Sequence, residues 1–300
     1  MRKLIISIVF VGFGFVLCDR LGGKLMWWVN QNTRDISGPK IRYLVNDVDA
    51  DLVLMGTSRC NLHYVPSIIA DTLKMSVYNG GIDASSNIYS HYIMLNHILA
   101  HHKPKMIGLE VRALDYTCQE DAFNAISFFA PYVNMNAYSD SVYRDAGTYN
   151  FYQVSHLYRY NAKAVSNIVG LIVNRQENED SGYIPLPDPV HHPESLEKST
   201  FEFSYDSLKV QYIEKFIRRC QEKEILLFFT MSPYYTVANP NEYSVLKQIA
   251  EENDIPVFDY HSSGLFHDHP DYFKDERHLW DRGARLYSMI FAHDLKEFLN

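Results

Sequence analysis

The sequence predicts an α/β protein: a doubly wound three-layer sandwich on a parallel sheet of about five strands, with a helical insertion between strands three and four and an N-terminal transmembrane helix. Three observations carry this reading. Five short runs are continuously apolar, as strands buried on both faces must be. Helical patterns lie between most of them, giving the βαβ alternation of a parallel sheet. One long apolar stretch, Leu4 to Cys18, stands alone at the N-terminus.

That stretch follows Met1-Arg2-Lys3, a positive flank of the kind that precedes exported segments. Val16-Leu17-Cys18-Asp19-Arg20 offers no small-residue cleavage site, which predicts a retained anchor. Lipidation of Cys18 is disfavoured by bulky Leu17, and a buried N-terminal helix of a cytosolic protein is the remaining alternative. Fifteen residues at about 1.5 Å each fall short of a ~30 Å hydrocarbon core, so Leu21 to Val29, with Trp27 and Trp28, is expected at the far interface. The expected organisation is a signal anchor over 1–20, a juxtamembrane connector over 21–46, and an α/β domain over 47–300. Arg2 and Lys3 then stay cytoplasmic and the body lies outside, in the periplasm if the cell is Gram-negative.

The strands are expected at Asp51 to Gly56, Met75 to Tyr78, Met106 to Val111, Ile225 to Thr230 and Ile255 to Tyr260. Pro256 fits only at the start of the last or on an edge. Helices are expected over Ile88 to His101, with Ile88, Tyr92, Leu95 and Leu99 on one face, over Ser207 to Gln221, and over Glu242 to Glu252. The insertion, about 117–205, holds a predicted helix over Ser155 to Asn174 and a proline-rich stretch, Tyr183 to Pro193. At the carboxyl ends of the strands it would cover the place where such sheets bind ligands. Its Phe128, Phe129, Tyr132, Tyr152, Tyr158 and Tyr160 suit either stacking on sugars or a core of its own.

A chain of 300 residues with 47% hydrophobic and 21% charged side chains has a sizeable core and is not disordered. A net charge of −8 without a basic cluster removes nucleic acid as a partner. Mean hydropathy of −0.22 excludes a polytopic membrane protein. The four cysteines, at 18, 60, 118 and 220, have neither redox nor zinc spacing. Cys60 and Cys118 follow strands expected to be neighbours, so a disulfide and two unpaired thiols both fit. His101-His102, His191-His192 and His267-Asp268-His269 match no metal site, and neither metal nor cofactor is expected.

Chemistry is concentrated at two places. The first strand ends in Gly56-Thr57-Ser58-Arg59, and a strand-to-helix turn presents a serine Oγ beside the N–H groups of a helix start. Near the other end stands Asp275-Glu276-Arg277-His278-Leu279, where a three-residue offset lets the carboxylate hold Nδ1 of the imidazole while Nε2 faces a hydroxyl. Glu276 is expected to point elsewhere. Ser58 and Asp275 also suit plain helix caps. Ser232-Pro233-Tyr234-Tyr235 follows the fourth strand and is expected to line the same pocket.

With these motifs the chain resembles the SGNH hydrolase superfamily over roughly 51–299, the insertion excepted. The most specific stretch is Phe273-Lys-Asp275-Glu-Arg-His278-Leu279 followed by Gly283-Ala284 and a closing helix. With the N-terminal anchor, the chain is most similar to the membrane-tethered envelope proteins of polysaccharide O-acetylation and teichoic-acid D-alanylation. The resemblance implies Ser58 as nucleophile, His278 as base and Asp275 as its orienting acid. It implies oxyanion donors at Ser58 and Ala84, Ala84 standing where the family commonly has glycine. After strand three, Glu110-Val-Arg112-Ala-Leu-Asp115 replaces the family's G-x-N-D, so Arg112 takes the place of the missing asparagine. Arg59, Asn79, Gly81 and Tyr234 are the expected substrate-binding residues. The implied function is that of an envelope-anchored serine esterase or O-acyltransferase acting on an acylated glycan or other envelope ester, with a membrane acyltransferase as a further partner. The alternative is a catalytically inactive module that binds glycan in the same cleft.

Overall fold

The computed structural model describes residues 1–35, 37–82, 87–173, 180–187, 192–198 and 204–300. Its strands are β1 (Leu52–Met55), β2 (Val77–Asn79), β3 (Met106–Glu110), β4 (Glu197–Lys198), β5 (Leu226–Met231), β6 (Thr236–Val237) and β7 (Val257–Asp259). Five of them form a wholly parallel sheet in the order β2-β1-β3-β5-β7, while β4 and β6 make a separate parallel pair. All five expected strands are present, and Pro256 stands just ahead of β7, where its missing N–H costs no ladder bond.

The helices are α1 (Arg2–Asn32), α2 (Gly38–Asn46), α3 (Ser58–His63), α4 (Pro66–Leu73), α5 (Ile88–Ile98), α6 (Ala137–Asp145), α7 (Tyr149–Val154), α8 (Ala164–Val169), α9 (Ser207–Glu222), α10 (Ser244–Glu252) and α11 (Asp281–Leu299). Strand side chains alternate between two cores. Val53, Met55, Ile107, Leu109, Leu227 and Phe229 face α2, α5, α9 and α10. Leu52, Leu54, Met106 and Phe228 face α3, α4 and α11. This is the three-layer sandwich that continuous apolar strands demand.

Local chemistry sets the helix starts. The Asn87 side chain accepts from the Tyr89 N–H while Ser90 Oγ accepts from the Asn87 N–H, a reciprocal cap that opens α5. Asp206 accepts from the N–H groups of Leu208 and Lys209 and opens α9.

The insertion differs from expectation in place and in form. Every residue of α5 is buried, polar ones included, because α6 and the 3-10 segment Asn124–Tyr132 cover its outer side. The insertion is therefore chiefly a coat for α5, and among its described residues only Glu197 and Lys198 line the cleft described below. Phe129, Tyr132, Tyr152 and Tyr160 are buried within it or against α1, and neither Phe128 nor Tyr158 reaches that cleft, so the sugar-stacking reading falls and the core reading stands. The single helix expected from Ser155 is broken into a 3-10 turn, Tyr158–Tyr160, and α8. The Asp19 carboxylate of α1 accepts the N–H groups of His156 and Leu157 at the start of this segment.

The N-terminal segment is one 31-residue helix, long and apolar enough to cross a membrane, and its most apolar stretch is wholly exposed. Within the described residues that stretch is not packed as a buried helix against the α/β body. The juxtamembrane connector expected over 21–46 contains the end of α1 and all of α2, whose Ile41, Leu44 and Val45 are buried against the α5 layer. All four cysteines are free, so the Cys60–Cys118 disulfide is absent.

Candidate active site

The sheet reverses its winding between β1 and β3, and ligands of such sheets bind outside the carboxyl ends of the strands at that point. Ser58 follows β1 and Arg112 follows β3, so both stand there. A cleft of about 600 Å³ opens beside them, lined by Thr57, Ser58, Arg59, Arg112, Ala113, Leu114, Glu197, Lys198, Tyr234, Thr236, Glu242, His261, Glu276, Arg277 and His278. Residues from seven separate stretches of sequence thus meet at one edge of the sheet.

Ser58 is the first residue of α3, not its cap, which is Thr57. Its Oγ lies 2.9 Å from His278 Nε2, across 220 positions of sequence. His278 Nδ1 lies 3.0 Å from each carboxylate oxygen of Asp275. Asp275 Oδ1 also accepts the backbone N–H groups of Arg277, at 2.8 Å, and His278, at 3.0 Å. The carboxylate therefore closes a local turn and orients the imidazole together. Partial burial works to raise the Asp275 pKa, but the hydrogen bonds from the His278 ring and the two N–H groups outweigh it and hold the carboxyl below its ordinary value. An acid kept ionised at Nδ1 fixes the tautomer in which Nε2 accepts from Ser58.

Behind His278 lies a buried relay that the sequence reading missed. His63, at the end of α3, accepts the Leu279 N–H at Nε2, 3.0 Å away. Its Nδ1 must then carry the proton, which goes to Ser232 Oγ at 2.9 Å. Ser232 Oγ in turn lies 3.4 Å from Glu110 Oε1, and Glu110 pairs with Arg59 at 2.5 Å. Burial holds the His63 pKa well below its ordinary value, so the ring is neutral. The relay fastens the backbone next to His278 onto α3, β3 and β5. A second missed residue, His261, follows β7 and lies against Tyr234 with ring centroids 4.5 Å apart. Its place just beyond a strand's carboxyl end was the only sequence signal for it.

The expected substrate-binding residues divide. Tyr234 lines the cleft, with the Arg59 guanidinium 4.0 Å above its ring centroid. Arg59 borders the cleft, but it is 1% exposed and its charge is committed to Glu110. Asn79 and Gly81 do not belong to the cleft. Asn79 donates to the carbonyls of Cys60 and Tyr64, both at 2.7 Å, and accepts the Gly81 N–H at 3.0 Å. A Cβ on Gly81 would come within 2.3 Å of Asn61 N, and the Gly81 carbonyl accepts from buried Lys40. Both residues shape the chain behind α3, because a fully buried amide side chain is used up by backbone groups before any substrate could reach it.

Of the expected oxyanion donors, Ser58 opens a helix, where the first N–H groups have no intrahelical acceptor, and Arg112 lines the cleft. Arg112 also lies 3.9 Å from Asp115, whose carboxylate accepts its backbone N–H. Ala84 falls outside the described residues. Glu276, expected to point away, is exposed on the rim of the cleft.

No protein-family model and no curated protein matches the sequence. Among solved structures, the chain is similar to a protein assigned to the G-D-S-L family from Desulfitobacterium hafniense DCB-2, with 12% identity, coverage of 81% of this chain and 97% of that one, and a TM-score of 0.38. It is similar to the acetyl xylan esterase AlAXEase at 11% identity, 81% and 98% coverage, and a TM-score of 0.38. A third, assigned as an acylhydrolase from Bacteroides fragilis NCTC 9343, has 15% identity, 87% and 95% coverage, and a TM-score of 0.36. At such scores the chemistry of this chain is read from its own residues, Ser58, His278 and Asp275 first among them.

Proposed function

We propose that this chain is a membrane-anchored serine acyl-ester enzyme of the SGNH type, acting outside the cytoplasm on an acyl ester of a cell-envelope glycan. The observation that carries the proposal is the series Ser58 Oγ, His278 Nε2, His278 Nδ1 and Asp275 in hydrogen-bond sequence beside an open cleft. In the first step Ser58 Oγ attacks the ester carbonyl carbon and its proton passes to His278 Nε2. The oxyanion takes the Ser58 N–H and the Arg112 guanidinium, with the Ala84 N–H as the third expected donor. His278 then gives its proton to the departing alkoxide, leaving an acyl-Ser58 ester. Water or an acceptor hydroxyl attacks that ester, His278 takes its proton, and the proton returns to Ser58 as the acyl group leaves. Asp275 stays ionised throughout and stabilises the transient imidazolium.

The cleft's polar lining, Glu197, Lys198, Thr236, Glu242, Glu276 and Arg277, supports a hydroxyl-rich substrate over a long hydrocarbon. Arg2-Lys3 ahead of exposed α1 supports an outward-facing body. A fluorophosphonate probe tests the chemistry, since only an activated serine reacts. Labelling of the full chain that disappears in Ser58→Ala is expected. Labelling that persists there removes the assignment, and an unlabelled wild type leaves the cleft to binding alone.

A further inference from the structure

The apolar run 4–18 covers about 22 Å of helix at 1.5 Å per residue, against a hydrocarbon core of about 30 Å. A bilayer around α1 therefore reaches roughly five residues beyond Cys18, to the level of Gly22 and Gly23. At that level another part of the chain lies against α1. The Asp19 carboxylate accepts from Ser155 Oγ, the His156 N–H and the Leu157 N–H at 2.5, 2.8 and 3.2 Å, and Arg20 donates to the Val154 carbonyl. The approach is close enough that a Cβ on Gly22 would meet Leu157 at 2.9 Å and one on Gly23 would meet His156 at 2.5 Å.

Around this junction the surface is apolar where water should face it. Phe151 is 59% exposed and Val154 76%. Leu157 and Tyr158 beside them are each 41% exposed. An exposed apolar cluster of this kind marks an interaction surface. Further along, α8 stands higher: its Asn167 donates to Asn30 of α1 at 3.1 Å, about 10 Å beyond Gly23 at 1.5 Å per residue.

We propose that residues 151–158 form a second membrane contact, an apolar platform lying in the bilayer interface beside the outer end of α1. The occupant is lipid because the patch is continuous with the apolar helix through the Asp19 junction and stands at the depth where that helix meets the headgroups. Side chains of this size at the headgroup boundary bury apolar area in the acyl region, as interfacial helices do. The domain is then held at one height and tilt instead of swinging on a tether, and the cleft keeps a set distance from the membrane. This rests on α1 spanning the bilayer.

The test uses the full chain in phosphatidylcholine–phosphatidylglycerol vesicles, with Cys18→Ser and Cys118→Ser removing the exposed thiols. A nitrobenzoxadiazole label is placed singly at Val11, Phe151, Val154 or Met289, each through a cysteine substitution. Labels at Val11, Phe151 and Val154 are expected to be quenched by doxyl-bearing lipid several-fold more strongly than the label at Met289, and to be shielded from aqueous iodide. A label at Val11 in lipid with those at Phe151 and Val154 as open to iodide as Met289 overturns the platform and leaves the anchor. Val11 open to iodide overturns both. Shielding of Phe151 and Val154 from both quenchers assigns the face to another protein surface, such as a second copy, and overturns the lipid reading.

Discussion

Asp275 holds His278 twice, accepting its ring Nδ1–H and its backbone N–H, each at 3.0 Å. One carboxylate thus sets both the turn and the tautomer. Asp275→Asn keeps the turn, because the amide oxygen still accepts backbone N–H groups, but it presents its NH₂ or its oxygen to the ring without the charge. Turnover of p-nitrophenyl acetate by the full chain is expected to fall by up to roughly 10⁴-fold, the scale for a histidine held in the wrong tautomer. The melting temperature should move little. Unchanged turnover would remove Asp275 from the reaction.

Ser58 and His278 should behave as one unit. Ser58→Ala and His278→Ala are each expected to abolish turnover, and the double variant should lose little more than either alone, because groups that act in one step are strongly non-additive. The check is the full set of kcat/KM values. Losses that multiply would mean that the two side chains act independently, despite the 2.9 Å between them.

The strands and the Asp275–His278 turn were legible in the sequence because each is a local signal. A continuous apolar run reports burial on both faces, and a D-x-x-H turn brings its two side chains together by itself. The insertion was not, because aromatics such as Phe129 and Tyr152 serve a core as readily as a sugar site, and nothing local says which. The relay was hidden for a different reason. His63, Glu110 and Ser232 come from α3, β3 and the end of β5, and only the closed sheet makes them neighbours. Asn79 and Gly81 were misplaced because a motif position does not reveal whether neighbouring carbonyls have already claimed the amide.

His63 is expected to position the base. His63→Phe leaves the buried Leu279 N–H without its acceptor, at a cost of about 1–3 kcal/mol, and takes from Ser232 Oγ one of its two bonds. The melting temperature should drop, and kcat should fall with KM nearly unchanged, because the segment carrying His278 loosens while the cleft lining stays. His63→Gln, which can restore one of the two bonds, should recover part of kcat. Equal kcat in all three proteins would show that the relay has no bearing on the base.

Asn79 should matter for stability and not for substrate. Asn79→Ala strips partners from the carbonyls of Cys60 and Tyr64 and from the Gly81 N–H, all buried. A loss of several kcal/mol is expected on the same scale, measured by urea unfolding of the full chain in mild detergent. Protein that remains folded should keep its KM. A raised KM with unchanged stability would return Asn79 to the substrate site.

Acid should unfold the protein through its buried histidines. Burial is the largest influence on His63, His91, His97 and His261 and depresses all four, the last three to about 4, while an unfolded histidine titrates near 6.5. Between pH 6.5 and 4 the unfolded chain therefore binds protons that the folded chain refuses. Their contribution is complete above pH 6.5 and is lost as pH falls toward the folded values, by at most about 1.4 kcal/mol per pH unit for each ring. Urea midpoints at pH 7.5, 6 and 5 should fall steeply. His97 is the probe, since its ring packs edge-on to Tyr132, with centroids 5.8 Å apart, which phenylalanine can imitate. His97→Phe should flatten the slope by up to about 1.4 kcal/mol per unit. A slope identical to wild type would show that His97 is not held neutral, and the acid sensitivity would then have to come from the other three rings.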